Sequence, residues 1–196
     1  MRTWIASTLI CAIVLPGLSG CAALVIGSAA AGGLVIAHDR RTTGTMLDDQ
    51  TIELNSKKAL RKNAELQELA HINITSFNKI VLISGEAPNS VLKQRAAKIV
   101  GGVTSVRHVH NEMKIAAPSS FMSRISDSLI TAKVKTKMIG IKDLDDFDTT
   151  RVKVVTESGV VFLMGLLKHN EATAATEAAR RVGGVQKVIK LFEYLD

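Results

Sequence analysis

Four groups of side chains in this 196-residue chain are of types that could do chemistry: Cys11 and Cys21, Ser90 with Lys93, His108 with His110, and the aspartates Asp143, Asp145, Asp146 and Asp148. Ser90-Val91-Leu92-Lys93 has the serine-x-x-lysine spacing in which a lysine activates a hydroxyl for acyl transfer. The Ser-Asp-Asn and Lys-Thr-Gly stretches that complete such a site are absent, and Ser90 stands where a helix cap belongs, so acyl-enzyme chemistry is not expected. His108 and His110 lie two apart on an expected strand and so share one face, as metal ligands would. No cysteine or carboxylate cluster accompanies them, which favours an exposed strand face. A calcium loop would need a glycine at its turn and a bidentate glutamate at its end, and the four aspartates have neither, which favours a solvated loop between helix and strand. The expectation is a chain with no catalytic residue, no metal site and no cofactor.

That leaves the Cys21 thiol, and its setting decides where the chain resides. Arg2 followed by an apolar run over 4–18 is the charged-then-greasy order of a secretory signal segment. Leu18-Ser19-Gly20-Cys21 resembles the lipobox of bacterial lipoprotein precursors, which implies acylation of the thiol, cleavage just before Cys21 and fatty chains on the new amino terminus. Each buried methylene contributes roughly 0.8 kcal/mol, so one chain holds reversibly and two or more hold stably. The alternatives are an ordinary secretory peptide or an uncleaved helix. Residues 22–37 are apolar but rich in alanine and glycine, and shorter than the roughly 20 residues a spanning helix needs, so they read as a tether. With Cys11 removed and Cys21 lipidated, no thiol remains for a disulfide, a redox motif or a cysteine metal site. Cleavage takes away one basic residue, Arg2, leaving 24 of the 25 Lys+Arg against 18 Asp+Glu. A basic balance favours phosphate-bearing partners. A secreted, anchored protein rarely meets nucleic acid, so anionic lipid headgroups are expected instead.

The elements that must position any site are organised by a duplication. Asp49, Ile52 and Leu60 recur as Asp127, Ile130 and Met138, 78 positions on. Ile72, Ile74, Val81, Ile83 and Gly85 recur as Val152, Val154, Val161, Leu163 and Gly165, 80 on, and the Val-Gly-Gly-Val at 100–103 recurs at 182–185, 82 on. A period near eighty exceeds the ~20–50 residues of solenoid repeats, so the copies are small domains. At about seventy residues each has a marginal core, so the copies should lean on one another.

Each copy reads helix, strand, strand, helix, strand. Ile130, Val134 and Met138 keep the spacing of a helix stripe, with Ser126 or Asp127 as its cap. Val152 and Val154 alternate with Arg151 and Lys153 as in a half-buried strand, and Ser158-Gly159 turns into the apolar run over 160–164, making a hairpin. Asn170 opens an alanine-rich helix that Gly183-Gly184 ends, as Gly101-Gly102 end the helix over 90–100, with left-handed glycines expected to satisfy the last carbonyls. These pairs follow helices rather than precede them, so they are caps and not phosphate loops. The first copy has strands over 72–75, 80–84 and 106–113. Residues 38–47 read as a polar, turn-prone linker. Two helices over one face of a three-stranded sheet bury this pattern, with the second and third strands parallel and joined by a right-handed crossover.

The duplicated Val-x-Val, the hairpin, the apolar strands ending in Gly85 and Gly165, and the Val-Gly-Gly-Val after each second helix resemble tandem BON domains. With the lipobox ahead, and including the Asp39-Arg40-Arg41 stretch and the run over 161–166, nearly the whole chain is similar to the dual-BON outer-membrane lipoproteins of Gram-negative bacteria. The resemblance implies an α/β fold of two α-β-β-α-β sandwiches, each a three-stranded mixed sheet covered by two helices. It implies a non-enzymatic, periplasm-facing protein that binds anionic phospholipids such as phosphatidylglycerol and cardiolipin and supports envelope integrity and cell division. It also implies sorting to the outer membrane, because Ala22 stands where an aspartate would signal retention in the inner one. The expected division is 1–20 signal peptide, 21–47 lipidated tether and linker, 48–116 first domain, 117–123 linker and 124–196 second domain.

Lipid contact is expected on the helix over 127–139. With the core side taken by Ile130, Val134 and Met138, Leu129, Ala132, Lys133 and Thr136 fall on another face, flanked by Lys135 and Lys137. An apolar tip among cations suits a headgroup region. The resemblance implies that this helix faces the membrane, in some relatives with an aromatic in its first turn; here that position is Leu129, with Phe121 and Met122 just upstream, so the contact is expected to be shallower or shifted toward that pair. The alternatives are Leu129 packed on the first copy, or the same helix docking an envelope enzyme or assembly factor. The matching first-copy helix, with Glu53, Lys57, Lys58 and Arg61 around an isolated Leu54, reads as solvated or domain-facing. The anchor is directly testable: mass spectrometry of the mature protein is expected to find an acylated thioether at Cys21 as the first residue, and an unmodified amino terminus at any other position contradicts it.

Overall fold

The computed structural model describes residues 39–141, 144 and 147–195; Cys21, the tether, Asp143, Asp145 and Asp146 lie outside them. Helix α1 (Thr43–Arg61) is capped by the Thr42 hydroxyl, which accepts from the Thr45 N–H, and turns Asp49, Ile52, Ser56 and Leu60 inward. A short helix α2 (Ala64–Leu69), capped by Asn63, adds the buried Leu66. Strands β1 (His71–Phe77) and β2 (Ile80–Ala87) form the first hairpin. Helix α3 (Ser90–Gly101), capped by Asn89, buries Leu92, Ala96 and Val100, and two short strands, β3 (His108–Asn111) and β4 (Lys114–Ile115), lie parallel to β2. The second copy runs helix α4 (Phe121–Ile139), a 3-10 turn (Thr149–Arg151), β5 (Val152–Glu157), β6 (Val160–Leu167), α5 (His169–Arg180) and β7 (Lys187–Tyr194). The sheet orders are β1-β2-β3, with β4 also beside β2, and β5-β6-β7, with the last pair parallel as expected.

Burial explains the unbroken apolar runs of β2 and β6. Val81 and Ile83 face the helices of the first copy, and Val161 and Leu163 those of the second. The alternate residues Leu82, Phe162 and Met164 join Phe77 in a third cluster that packs sheet against sheet. Strands buried on both faces lose the polar alternation of a half-exposed strand. The expectation that the copies lean on each other therefore takes the form of shared sheet faces, rimmed by polar ties. Across that rim Lys153 Nζ donates to Glu53 Oε1 at 2.9 Å, Asn78 Nδ2 to Glu193 Oε2 at 2.7 Å, and Arg107 pairs with Glu193.

Each hairpin turns through two positive-φ residues, Asn78 (51°) and Lys79 (65°) in one copy, Ser158 (49°) and Gly159 (73°) in the other. That geometry matches the twist of the strands but is unfavourable for residues with a Cβ. The repeated aspartate supplies the compensation. Asp49 accepts from the N–H of Asn78 and of Lys79 at 2.8 and 2.7 Å, and Asp127 from those of Ser158 and Gly159, both at 2.8 Å. Asp127 is thus no helix cap. Ser120 caps α4, which begins at Phe121, so Phe121 and Met122 belong to the helix rather than to a segment upstream of it.

Other expectations are corrected. The stretch read as linker is structured from Asp39: α1 starts at Thr43, Arg41 donates to Asp39 and to Asp49 and stacks 3.9 Å over the Phe77 ring, and Arg40 crosses to Glu171. Short polar residues that resemble a turn are here held by buried carboxylates. The expected left-handed glycine caps are also absent from the helix ends themselves. Gly102 has φ −84°, α5 ends at Arg180 with Gly184 (φ +99°) beyond the cap residue Arg181, and tight turns satisfy the carbonyls, Val103 N–H to Val100 O at 3.0 Å and Val182 N–H to Ala179 O at 3.2 Å. Helix α5 begins at His169 rather than Asn170.

Glu171 ties the segment ahead of α1 to the second copy. Arg40 binds it in bidentate fashion at 2.6 and 2.8 Å, Arg151 at 3.3 Å, and the Lys168 N–H at 2.7 Å. Burial alone would push this carboxyl up, but the hydrogen bonds from Arg40 and Lys168 and the charges of Arg40 and Arg151 outweigh it and hold it below the usual range. A carboxylate depressed in the folded state stabilises fully above its unfolded value of about 4.3, and the contribution is lost as pH falls through the lower folded value. Glu171→Gln is expected to cost about 3 kcal/mol at pH 7, as breaking a buried pair does, with the deficit shrinking on acidification below about pH 4. Thermal unfolding against pH checks this; an equal deficit at pH 3 and pH 7 would contradict it.

Candidate functional site

Helix α4 carries two apolar stripes. At 100° per residue, Ile130, Val134 and Met138 form the buried one, while Phe121, Ile125, Leu129, Ala132, Thr136 and Ile139 fall within a sector of about 100° on the opposite side. Exposure is high along this outer stripe: Phe121 74 %, Leu129 56 % and Ile139 69 %, with Met122 at its border 72 %. Lys133 and Lys137 line one edge of the stripe and Arg124 and Lys135 the other, so the sequence-level site residues fall on one helix face and its margins. Among the described residues Lys133, Lys135 and Lys137 form no ion pair, and the sole acid on α4, Asp127, is turned inward to the hairpin. A helix with buried acid, exposed apolar side chains and unpaired lysines presents a cationic, greasy surface.

Part of that surface is a groove of about 530 Å³. Leu129, Ala132, Lys133 and Thr136 line it as the spacing predicts, and Lys137, Gly140, Arg181 and Val182 complete it. Every residue lining the groove belongs to the second copy, and Leu129 is more than half exposed. Lys135 and Phe121 lie outside it, on the border and at the start of the stripe. Sequence reading missed Ile125, Ile139 and Arg181. A helix started at Phe121 would have revealed the first two by spacing, whereas Arg181 arrives from α5 by tertiary packing. The matching helix α1 differs: Glu53 accepts from the Ser76 N–H of its own copy and from Lys153 of the other, and its exposed apolar face consists of Leu47 and Leu54, about two turns apart.

The remaining candidates resolve as follows. Ser90 is exposed at the start of α3, with the cap supplied by Asn89, and Lys93 donates to the Met113 carbonyl at 2.6 Å, so the pair is not a nucleophile and its base. His108 and His110 do share a face, their rings 4.6 Å apart and edge to face; burial, and then the charge of His108, push His110 down. Asp148 caps the 3-10 turn by accepting from the Thr150 N–H at 2.8 Å. Unanticipated from sequence is a cluster of His71, Glu86 and Glu157 between the two copies. Its members lie far apart in the chain, and the available signal was the strand alternation that sends Glu86 inward with Leu82 and Ser84.

The BON-domain family model matches residues 48–117 and again 126–196. Over 180 residues the chain is 41% identical to the outer membrane lipoprotein DolP of Haemophilus influenzae, covering 91% of each chain. It is 37% identical over 157 residues to the 21 kDa hemolysin of Actinobacillus pleuropneumoniae, covering 80% of this chain and 79% of that one. It is 27% identical over 160 residues to osmotically-inducible protein Y of Escherichia coli, covering 80% and 77%.

Proposed function

The chain belongs to the BON-domain family, as one of its outer-membrane lipoproteins, and from that premise we propose that the outer face of α4 in its second BON domain binds anionic phospholipid while acyl groups on Cys21 hold it to the membrane from the periplasmic side. The observation that carries this reading is the exposed apolar stripe bordered by unpaired cations on a helix with no exposed acid. Apolar side chains gain roughly 25 cal/mol per Å² removed from water, and each lysine or arginine near an anionic surface adds about 1 kcal/mol. Phe121, Met122, Ile125 and Leu129 are the entering groups; Arg124, Lys133, Lys135 and Lys137 meet phosphate. Phosphatidylglycerol and cardiolipin supply that charge. The protein acts without catalysis, by concentrating at anionic regions of the outer membrane, and its family resemblance supports a role in envelope integrity and cell division.

The tether makes a shallow contact sufficient. The 18 steps from Cys21 to Asp39 reach no further than roughly 65 Å, and anchoring makes the second contact intramolecular, at an effective concentration that can reach millimolar. Co-sedimentation of acyl-free protein beginning at Ala22 tests the reading. Binding to phosphatidylglycerol or cardiolipin vesicles is expected to weaken with salt and to fall about ten-fold or more in Leu129→Glu, since 1.4 kcal/mol is one decade, with little binding to phosphatidylcholine. No binding at low salt, or equal binding by Leu129→Glu, contradicts it; retention of a protein partner through this helix in that case would favour the docking scaffold.

A further inference from the structure

The contact between the two BON domains encloses charge that the fold does not balance. Glu86, at the end of β2, is 2 % exposed and Glu157, at the end of β5, is 5 % exposed. Among the described residues the His71 ring is the sole basic group within ion-pair distance of either, its Nδ1 lying 3.1 Å from Glu86 Oε2 and 3.8 Å from Glu157 Oε1. The buried Asp127, which accepts from the neighbouring Ser158 N–H, places a further carboxylate nearby. Two carboxylates in a low-dielectric site facing one imidazole leave net negative charge even when that imidazole is protonated.

We propose that His71, Glu86 and Glu157 form a divalent metal site, suited to Zn²⁺, that pins the two BON domains together. One nitrogen and two oxygen ligands with an open fourth position are a zinc donor set. The three ligand atoms all lie within 4.8 Å of one another, and bonds of about 2.0–2.1 Å would bring them near the tetrahedral spacing of roughly 3.3 Å by small side-chain rotations. The outer shell is already built. Asn73 Nδ2 donates to Glu157 Oε2 at 2.8 Å and Ser158 Oγ to Glu86 Oε1 at 3.1 Å, which leaves Glu157 Oε1 facing His71 and Glu86 Oε2 in hydrogen-bond contact with the His71 ring and the Ser119 N–H. Outer-shell bonds of this kind orient metal ligands.

A second observation points to the same place. Ser119 donates its N–H to Glu86 Oε2 at 3.2 Å, yet its own hydroxyl is shielded from solvent and has no hydrogen-bond partner. A water in the fourth metal position would have that oxygen as an acceptor. The His71 side chain, 18 % exposed, gives an ion its way in. Because His71 and Glu86 belong to one domain and Glu157 to the other, the ion would be a removable strut between them, independent of lipid binding on α4.

The full lipidated protein in detergent micelles, stripped with EDTA and titrated with Zn²⁺, tests this by calorimetry, metal content and thermal unfolding. The expected result is one Zn²⁺ per chain with a rise in Tm, at least ten-fold weaker binding in Glu157→Gln and in His71→Gln, and unchanged binding when His108 and His110 are both replaced by Gln. Should either variant fail to fold, ¹¹³Cd NMR of the unsubstituted protein decides instead, one resonance in the nitrogen and oxygen ligand range supporting the site and none overturning it. No stoichiometric uptake, or uptake lost with His108 and His110 but kept in the Glu157 variant, overturns the proposal.

Discussion

A carboxylate held against two backbone amides at the tip of a hairpin recurs in both halves of this molecule, and the rest of the fold hangs from it. Asn78, Lys79, Ser158 and Gly159 occupy the left-handed region, where a residue with a Cβ costs of order 1–3 kcal/mol. Asp49 and Asp127 hold it by charge-assisted bonds, which are about twice as strong as neutral ones. Each bond also ties the inner face of the domain's first helix to the hairpin tip. With the turn and helix joined, the register of β1 on β2 and of β5 on β6 sends Val81, Ile83, Val161 and Leu163 to the helices, and Leu82, Phe162 and Met164 to the opposite sheet. Two marginal cores thereby become three coupled ones.

That arrangement also makes the two copies unequal. Helix α1 spends its outward-leaning Glu53 on Lys153 and on the Ser76 amide, while Arg41 uses Asp49 to draw the preceding chain onto Phe77. Helix α4 meets no such demand. Its inner face is anchored by Asp127, Ile130, Val134 and Met138, and its outer face keeps Phe121, Met122, Leu129 and Ile139 in solvent. A duplicated domain has retained one inner face twice and differs in its two outer faces, one tied to its sister domain and one left open to solvent.

The parts of this architecture governed by local periodicity were legible in the sequence: the duplication, the helix stripe of Ile130, Val134 and Met138, both hairpins and the parallel third strands. Leu129, Ala132, Lys133 and Thr136 were placed together correctly because helix spacing alone decides that neighbourhood. What was hidden depended on residues with two plausible uses. Asp127 resembles a cap, so α4 was started two turns late, which concealed that Phe121, Met122 and Ile125 extend the stripe. Asp39-Arg40-Arg41 resembles a turn until Asp49 and Glu171 are seen to receive the arginines. Arg181 and the His71, Glu86 and Glu157 cluster are products of packing between elements remote in sequence, for which no spacing rule exists.

We propose that α4 meets the bilayer with the stripe that runs from Phe121 to Ile139. Spin labels carried on lipids broaden the amides of residues nearest the membrane, so NMR of the lipidated protein in nanodiscs containing phosphatidylglycerol tests it directly. Broadening centred on Phe121, Ile125, Leu129 and Thr136, and weak at Leu47 and Leu54 of α1, is the result this account predicts. Broadening centred on α1, or spread evenly over both domains, would contradict it.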